Sequence, residues 1–174
     1  MKQDMIYPIL TIPHKILRTK SEEVVEVNSE ILSILKNMAE TMYAAPGIGL
    51  AAVQVGINKR LIVMDCEFSA GKKKKPLYMI NPEIVWRSNE MNCYSEGCLS
   101  IPEFYEEIKR PTACRVRYID KKDKEQFLDC DGLLATCVQH EVDHLDGKLF
   151  IDYLSRLKRN SIEKKFIKQN KQKI

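Results

Sequence analysis

The chain has 174 residues, 44% apolar and 30% charged, the balance of a globular protein and not of a disordered or fibrous one. A chain of this length can bury about 70% of its unfolded surface, so neither a disulfide nor a metal is needed merely to fold, and one domain over 1–174 is expected. The net charge of +4 is unevenly placed: residues 155–174 carry eight basic side chains and one acid, Glu163, a net +7, which leaves −3 for residues 1–154.

In chain order, the start Met1-Lys2-Gln3-Asp4-Met5-Ile6-Tyr7-Pro8 has no apolar segment of the kind that opens a secreted protein. No run of about 18 apolar residues follows, so a cytoplasmic protein outside the membrane is expected. Residues 9–27 mix Pro13 with short apolar runs and acids and read as loop and short strand. Ile31, Ile34, Leu35, Met38 and Met42 recur at helical spacing and predict a helix over 29–43, with Ser29 as its cap and Ala45-Pro46-Gly47 as its stop.

Residues 60–64 (Arg-Leu-Ile-Val-Met) predict a strand. Lys72 to Lys75 with Pro76 form a charged turn, read as solvated and not as a nucleic-acid site, and a strand over 77–80 follows. Further strands are predicted over 84–87 and 115–119, with Phe127 and Leu128 on a return strand. Asp131 can cap a second helix reaching Leu145, which Gly147 ends, and a basic helix is predicted over 155–168. Strands segregated from a few helices argue α+β: antiparallel or mixed sheets around a central helix, with one helix near each end of the chain.

That central helix carries Gln139-His140-Glu141-Val142-Asp143-His144, an HExxH pattern. His140 and His144 are one turn apart, so both imidazoles leave one face and can share a metal ion. Glu141 lies beside that face, within reach of a metal-activated water without being a ligand. A catalytic site of this kind needs a third protein ligand. The chain has only three histidines, and His14 lies far away in sequence. The extended pattern of one protease class would require histidine where Phe150 stands, and the only downstream glutamate, Glu163, lies in the basic tail. Cys98, in Glu96-Gly97-Cys98-Leu99-Ser100, is the candidate third ligand, because a thiolate binds Fe²⁺ or Zn²⁺ strongly. The other five cysteines (Cys66, Cys93, Cys114, Cys130 and Cys137) form no CxxC pair and are read as free thiols.

A third segment, Gly47-Ile48-Gly49-Leu50-Ala51-Ala52-Val53-Gln54, follows no strand in the manner of a dinucleotide-binding loop. Taken with the other two, and in this order, it resembles the three signature motifs of the peptide deformylases: GxGLAAxQ, EGCLS and QHExDHLxG. The resemblance extends to about Leu154. It implies a metal-dependent hydrolase that removes the formyl group from formyl-methionine at the N-terminus of nascent polypeptides and releases formate. Cys98, His140 and His144 would hold the metal, and a metal-activated hydroxide would attack the formyl carbon with Glu141 as general acid/base. The Gln54 side chain and the Leu99 backbone N–H would hold the oxyanion. Ile48, Gly49 and Gly97 would line the peptide cleft, with Leu133 and Cys137 near the methionine pocket. Tyr105 and Thr136 stand where the family varies. Fe²⁺ is the expected native metal, with Zn²⁺, Ni²⁺ or Co²⁺ as substitutes.

Two rival readings use the same residues. One is a zinc endopeptidase with Cys98 as third ligand. The other is a non-catalytic ribosome- or RNA-binding module with a structural metal, against which the nearby free carboxylate of Glu141 counts. The basic tail is either a solvated end or a ribosome contact. Neither DNA nor a membrane is an expected partner.

Overall fold

The structure, a computed structural model, describes residues 5–171, so the first four residues and the last three of the basic tail lie outside it. Three helices and seven strands are described: α1 (Ser29–Ala44), β1 (Gly49–Ala51), β2 (Leu61–Met64), β3 (Leu77–Arg87), β4 (Met91–Cys98), β5 (Ile101–Pro111), β6 (Ala113–Ile119), β7 (Glu125–Asp131), α2 (Gly132–Leu145) and α3 (Arg156–Lys171). Five strands form an antiparallel sheet in the order β1-β2-β3-β6-β7, and β4 and β5 form a separate two-stranded hairpin.

The alternation of side chains along β2 explains how the layers stack. Ile62 and Met64 point into one apolar cluster with Val138 and Val142 of α2, whereas Leu61 and Val63 point into another with Leu35, Met38 and Met42 of α1. A strand covered on both faces reads as a continuous apolar run, which is what residues 61–64 are. A third cluster joins Ile101 and Ile108 of β5 to Phe150, Ile162 and Phe166. It docks α3, so that helix is not the wholly solvated end that its charge permits.

Several local expectations are corrected. Residues 9–27 hold no named strand; their regular element is a 3₁₀ turn over Lys15–Arg18. The cap of α1 is Asn28, whose side chain accepts the Ile31 N–H at 3.0 Å, and Ser29 is the first helical residue. Asp131 does precede α2, yet its side chain makes no capping hydrogen bond. The two strands predicted over 77–80 and 84–87 are one strand with irregular register, β3. At the break Asn81 takes φ 50° and its side-chain amide bonds both the N–H and the C=O of Val24, each at 2.8 Å. β1 and the β4–β5 hairpin were not expected at all. Glycines and a run of charges hide them, because cross-strand pairing and not local propensity makes these strands.

Candidate metal centre

Three separate pieces of chain build the site. Helix α2 supplies His140, Glu141 and His144, all buried. The β4–β5 hairpin supplies Glu96, Gly97 and Cys98 near its turn. The segment from Gly47 through β1 to the 3₁₀ turn Ala52–Val55 supplies Ile48, Gly49 and Gln54. The N-terminal strap pins the last two pieces together, with Leu10 N–H on the Gln54 carbonyl at 2.7 Å and Ile12 N–H on the Ser100 carbonyl at 3.1 Å.

Among the described residues, Cys98, His140 and His144 are the one group of three or more ligand side chains that converge, with donor atoms all within 4.8 Å of one another. His140 Nε2 and His144 Nε2 stand 3.2 Å apart, and Cys98 Sγ stands 3.3 Å from His144 Nε2. Two nitrogens bound to one tetrahedral ion would be about 3.4 Å apart, so this donor set fits a single divalent ion. The electrostatics agree. Burial opposes a charge on His140, yet its hydrogen bonds with Cys98 and Glu96 hold its imidazole well above the ordinary range. Burial, then the neighbouring His140 charge, hold His144 well below it. A divalent ion held by these three donors would bring its own positive charge and displace the shared proton.

Behind the ligands lies a network that sequence reading missed. Glu96 Oε2 pairs with His140 Nδ1 at 2.9 Å, which leaves Nε2 to face the ligand cluster. Arg110 holds the same carboxylate with two nitrogens and reaches Asp143 Oδ2 at 2.8 Å through Nη1. Tyr153 donates to that Asp143 oxygen, also at 2.8 Å, and its ring lies against the guanidinium. Burial works against the charge on Glu96, but the bonds from His140 and Arg110 keep its carboxyl below the usual range. The only available signal was Glu96 inside the EGCLS motif; Arg110 sits in an unremarkable charged run.

The cleft in front has a volume of about 350 Å³. Ile48, Gly49, Gln54, Gly97, Cys98, Leu99, Leu133, Cys137, His140 and Glu141 all line it. So do Tyr105 and Thr136. His144 lies deeper, 1% exposed. Gln54 turns its Nε2 toward Cys98 Sγ at 3.6 Å and Ser100 Oγ at 3.1 Å, while its Oε1 accepts the Ala51 N–H. Burial pushes the Glu141 carboxyl up to about 7, with the His140 charge opposing and Glu96 adding to the rise. Among the described residues nothing pairs with Glu141 Oε2. A buried carboxyl that titrates near neutrality, with one oxygen open beside a metal set, is suited to move protons. His14 is exposed and takes no part.

The chain is also similar to known proteins over nearly its whole length. The family model for polypeptide deformylase matches residues 6–160. The peptide deformylase of Bartonella tribocorum is 51% identical over 166 residues, covering 95% of this chain and 93% of the relative. That of Agrobacterium fabrum is 48% identical, covering 97% and 99%. Among solved structures, peptide deformylase from Ehrlichia chaffeensis superposes with a TM-score of 0.88 at 40% identity, covering 95% and 97%. A second crystal structure from that organism, in complex with actinonin, gives 0.88 at 42% identity, covering 94% and 97%.

Proposed function

The chain belongs to the polypeptide deformylase family, and on that premise we propose that it hydrolyses the N-formyl group of formyl-methionyl peptides through a metal held by Cys98, His140 and His144. The observation that carries the reading is the convergence of those three donors beside the buried Glu141 carboxyl.

Two imidazoles and one thiolate leave an M²⁺ site with a net charge of about +1, and when bound the ion supplies Lewis acidity and lowers the pKa of its water toward about 7. Fe²⁺ is the proposed native ion, with Zn²⁺, Ni²⁺ or Co²⁺ able to replace it. The remaining work falls to the chain. Glu141 takes a proton from water and returns one to the departing amine, a role worth about 10²–10⁴ in rate. Gln54 Nε2 and the Leu99 N–H donate to the developing oxyanion, each worth about 10²–10³. The edge at Ile48 and Gly49 receives the peptide as an added strand, with Gly97 opposite. Leu133 and Cys137 flank the first side chain. Formate and a free N-terminal amine leave.

The decisive test is formate release from formyl-Met-Ala-Ser by Fe²⁺-loaded protein. No release, or cleavage of an unblocked internal peptide bond instead, would favour the endopeptidase reading. Cys98→Ser should also lower bound metal by elemental analysis, whereas Cys93→Ser should not; full metal in the Cys98 variant would remove it from the ligand set.

A finer proposal concerns the partner. α3 buries Ile162 and Phe166 and leaves Lys164, Lys165 and Lys168 exposed. That exposed basic face suits a weak, salt-sensitive contact with ribosomal phosphate. No helix among the described residues is long and apolar enough to cross a membrane, and a cytoplasmic location is proposed with the substrate.

A further inference from the structure

The two proposed oxyanion donors, Gln54 and Leu99, come from different parts of the chain, and one buried residue touches both. Leu99 and Ser100 form the two-residue turn between β4 and β5, where Cys98 pairs with Ile101. Ser100 is 0% exposed and, unlike Leu99, does not line the cleft. Its three polar groups serve three different partners. The N–H donates to Cys98 Sγ at 3.4 Å. The carbonyl accepts the Ile12 N–H at 3.1 Å. The hydroxyl Oγ accepts from Gln54 Nε2 at 3.1 Å. The other end of the Gln54 amide is fixed as well, because its Oε1 accepts the Ala51 N–H at 2.9 Å. A backbone N–H can only donate, so the atom facing Ala51 is the oxygen and the amide nitrogen must face Ser100 and Cys98. Gln54 and Ser100 are tied a second time through their backbones. Leu10 and Ile12, two residues apart on the N-terminal strap, donate to the Gln54 and Ser100 carbonyls.

We propose that Ser100 is a positioning residue for the reaction: its hydroxyl holds the Gln54 amide in register with the Leu99 N–H, so that both donors serve one oxyanion. Leu99 is bonded covalently to Ser100, so the place of its N–H relative to the Ser100 hydroxyl is set by the turn. Gln54 reaches the same point on a side chain with three rotatable bonds, whose freedom costs energy to freeze. The hydroxyl supplies that restraint before substrate arrives. Oxyanion donors are effective when they are already in place, because they then need no reorganisation at the moment of reaction. Alanine at position 100 would keep the turn, the N–H toward Cys98 and the carbonyl toward Ile12. It would remove Oγ alone and leave the Gln54 nitrogen with only the sulfur, at 3.6 Å. Ser100 lies behind the cleft wall, so the loss should fall on kcat and not on KM. The effect on turnover rests on the deformylase reading and its oxyanion assignment; the hold on the amide does not.

The test compares the full-length wild type with Ser100→Ala, Gln54→Ala and the double variant, Zn²⁺-loaded for NMR and Fe²⁺-loaded for kinetics. Elemental analysis should find equal metal in all four. The Gln54 side-chain amide protons should exchange with solvent about tenfold faster in Ser100→Ala than in wild type, the worth of one hydrogen bond. With formyl-Met-Ala-Ser, Ser100→Ala should lower kcat about 10- to 100-fold and leave KM within about twofold. In the Gln54→Ala background the same substitution should change kcat by less than about twofold, because its partner is already gone. Equal exchange in wild type and Ser100→Ala overturns the proposal, and so does metal loss in Ser100→Ala. A kcat loss that persists in full without Gln54, or a rise in KM with kcat unchanged, overturns it too. If Ser100→Ala does not fold, wild-type exchange as fast as that of a solvated amide overturns the hold, and slow exchange supports it. A wild type that releases no formate, or a Gln54→Ala variant with full kcat, sinks the functional reading instead, and the exchange comparison then decides the hold alone.

Discussion

Arg110 grips Glu96 at two points in the interior, Nε to Oε1 at 2.6 Å and Nη2 to Oε2 at 3.0 Å, with side chains only 4% and 5% exposed. The same Oε2 meets His140 Nδ1 at 2.9 Å, so an arginine outside every motif helps orient a proposed metal ligand. Glu96→Gln keeps the shape and removes the charge. It should weaken metal affinity about 10- to 100-fold in a chelator competition. Arg110→Met leaves Glu96 and Asp143 without their cation and should cost about 3–5 kcal/mol in denaturant unfolding. Wild-type metal affinity in the first variant would reduce Glu96 to a packing role.

Glu141→Ala should retain the metal and lose about 10²–10⁴ in kcat. Formate release and elemental analysis on one preparation check both halves. Turnover above a tenth of wild type would move the proton-transfer role elsewhere.

Gly49 has no room for a side chain: a Cβ there would stand 2.5 Å from Glu141 Oε1 and 2.9 Å from Cys137 Sγ. Gly49→Ala therefore displaces the Glu141 carboxyl, the proposed acid/base group. We expect kcat/KM to fall about 10²-fold, as displacements of about 1 Å do, while metal content holds. Unchanged kcat/KM would mean that the neighbours yield freely.

The air stability of activity should depend on the metal. Fe²⁺ beside the Cys98 thiolate should be lost through oxidation of the ion or of the sulfur, and Ni²⁺ or Co²⁺ should protect. Half-lives under air for the separately loaded forms decide the matter, and equal values would contradict it.

The two faces of α3 should separate in experiment. Phe166 is 3% exposed and packs edge-on to Phe104, so Phe166→Ala should cost about 3–5 kcal/mol of stability. Removing residues 160–174 would strip this contact too, and truncation therefore confuses folding with binding. Replacing Lys164, Lys165 and Lys168 by Gln should leave melting and short-peptide hydrolysis unchanged and weaken ribosome co-sedimentation at low salt. Undiminished co-sedimentation would make the lysines a solvated face only.

The sequence by itself determined the elements whose signal is local. HExxH places two imidazoles on one helical face because the α-helix repeats every 3.6 residues, whatever surrounds it. The apolar runs of α1, β2 and α2 declare themselves in the same way, and the three motifs together pointed to the family. Only the tertiary structure decided what depends on partners distant in the chain. β5 reads as a charged run, and it is a strand because β4 pairs with it. Arg110 is an ordinary surface cation until Glu96 and Asp143, 14 and 33 residues away, close around it. The Ile48 carbonyl accepts from both the Asp65 N–H and the Cys137 thiol because β1 pairs with β2 and packs against α2. Burial of a charge or a thiol follows from what packs against it, and no local pattern encodes that.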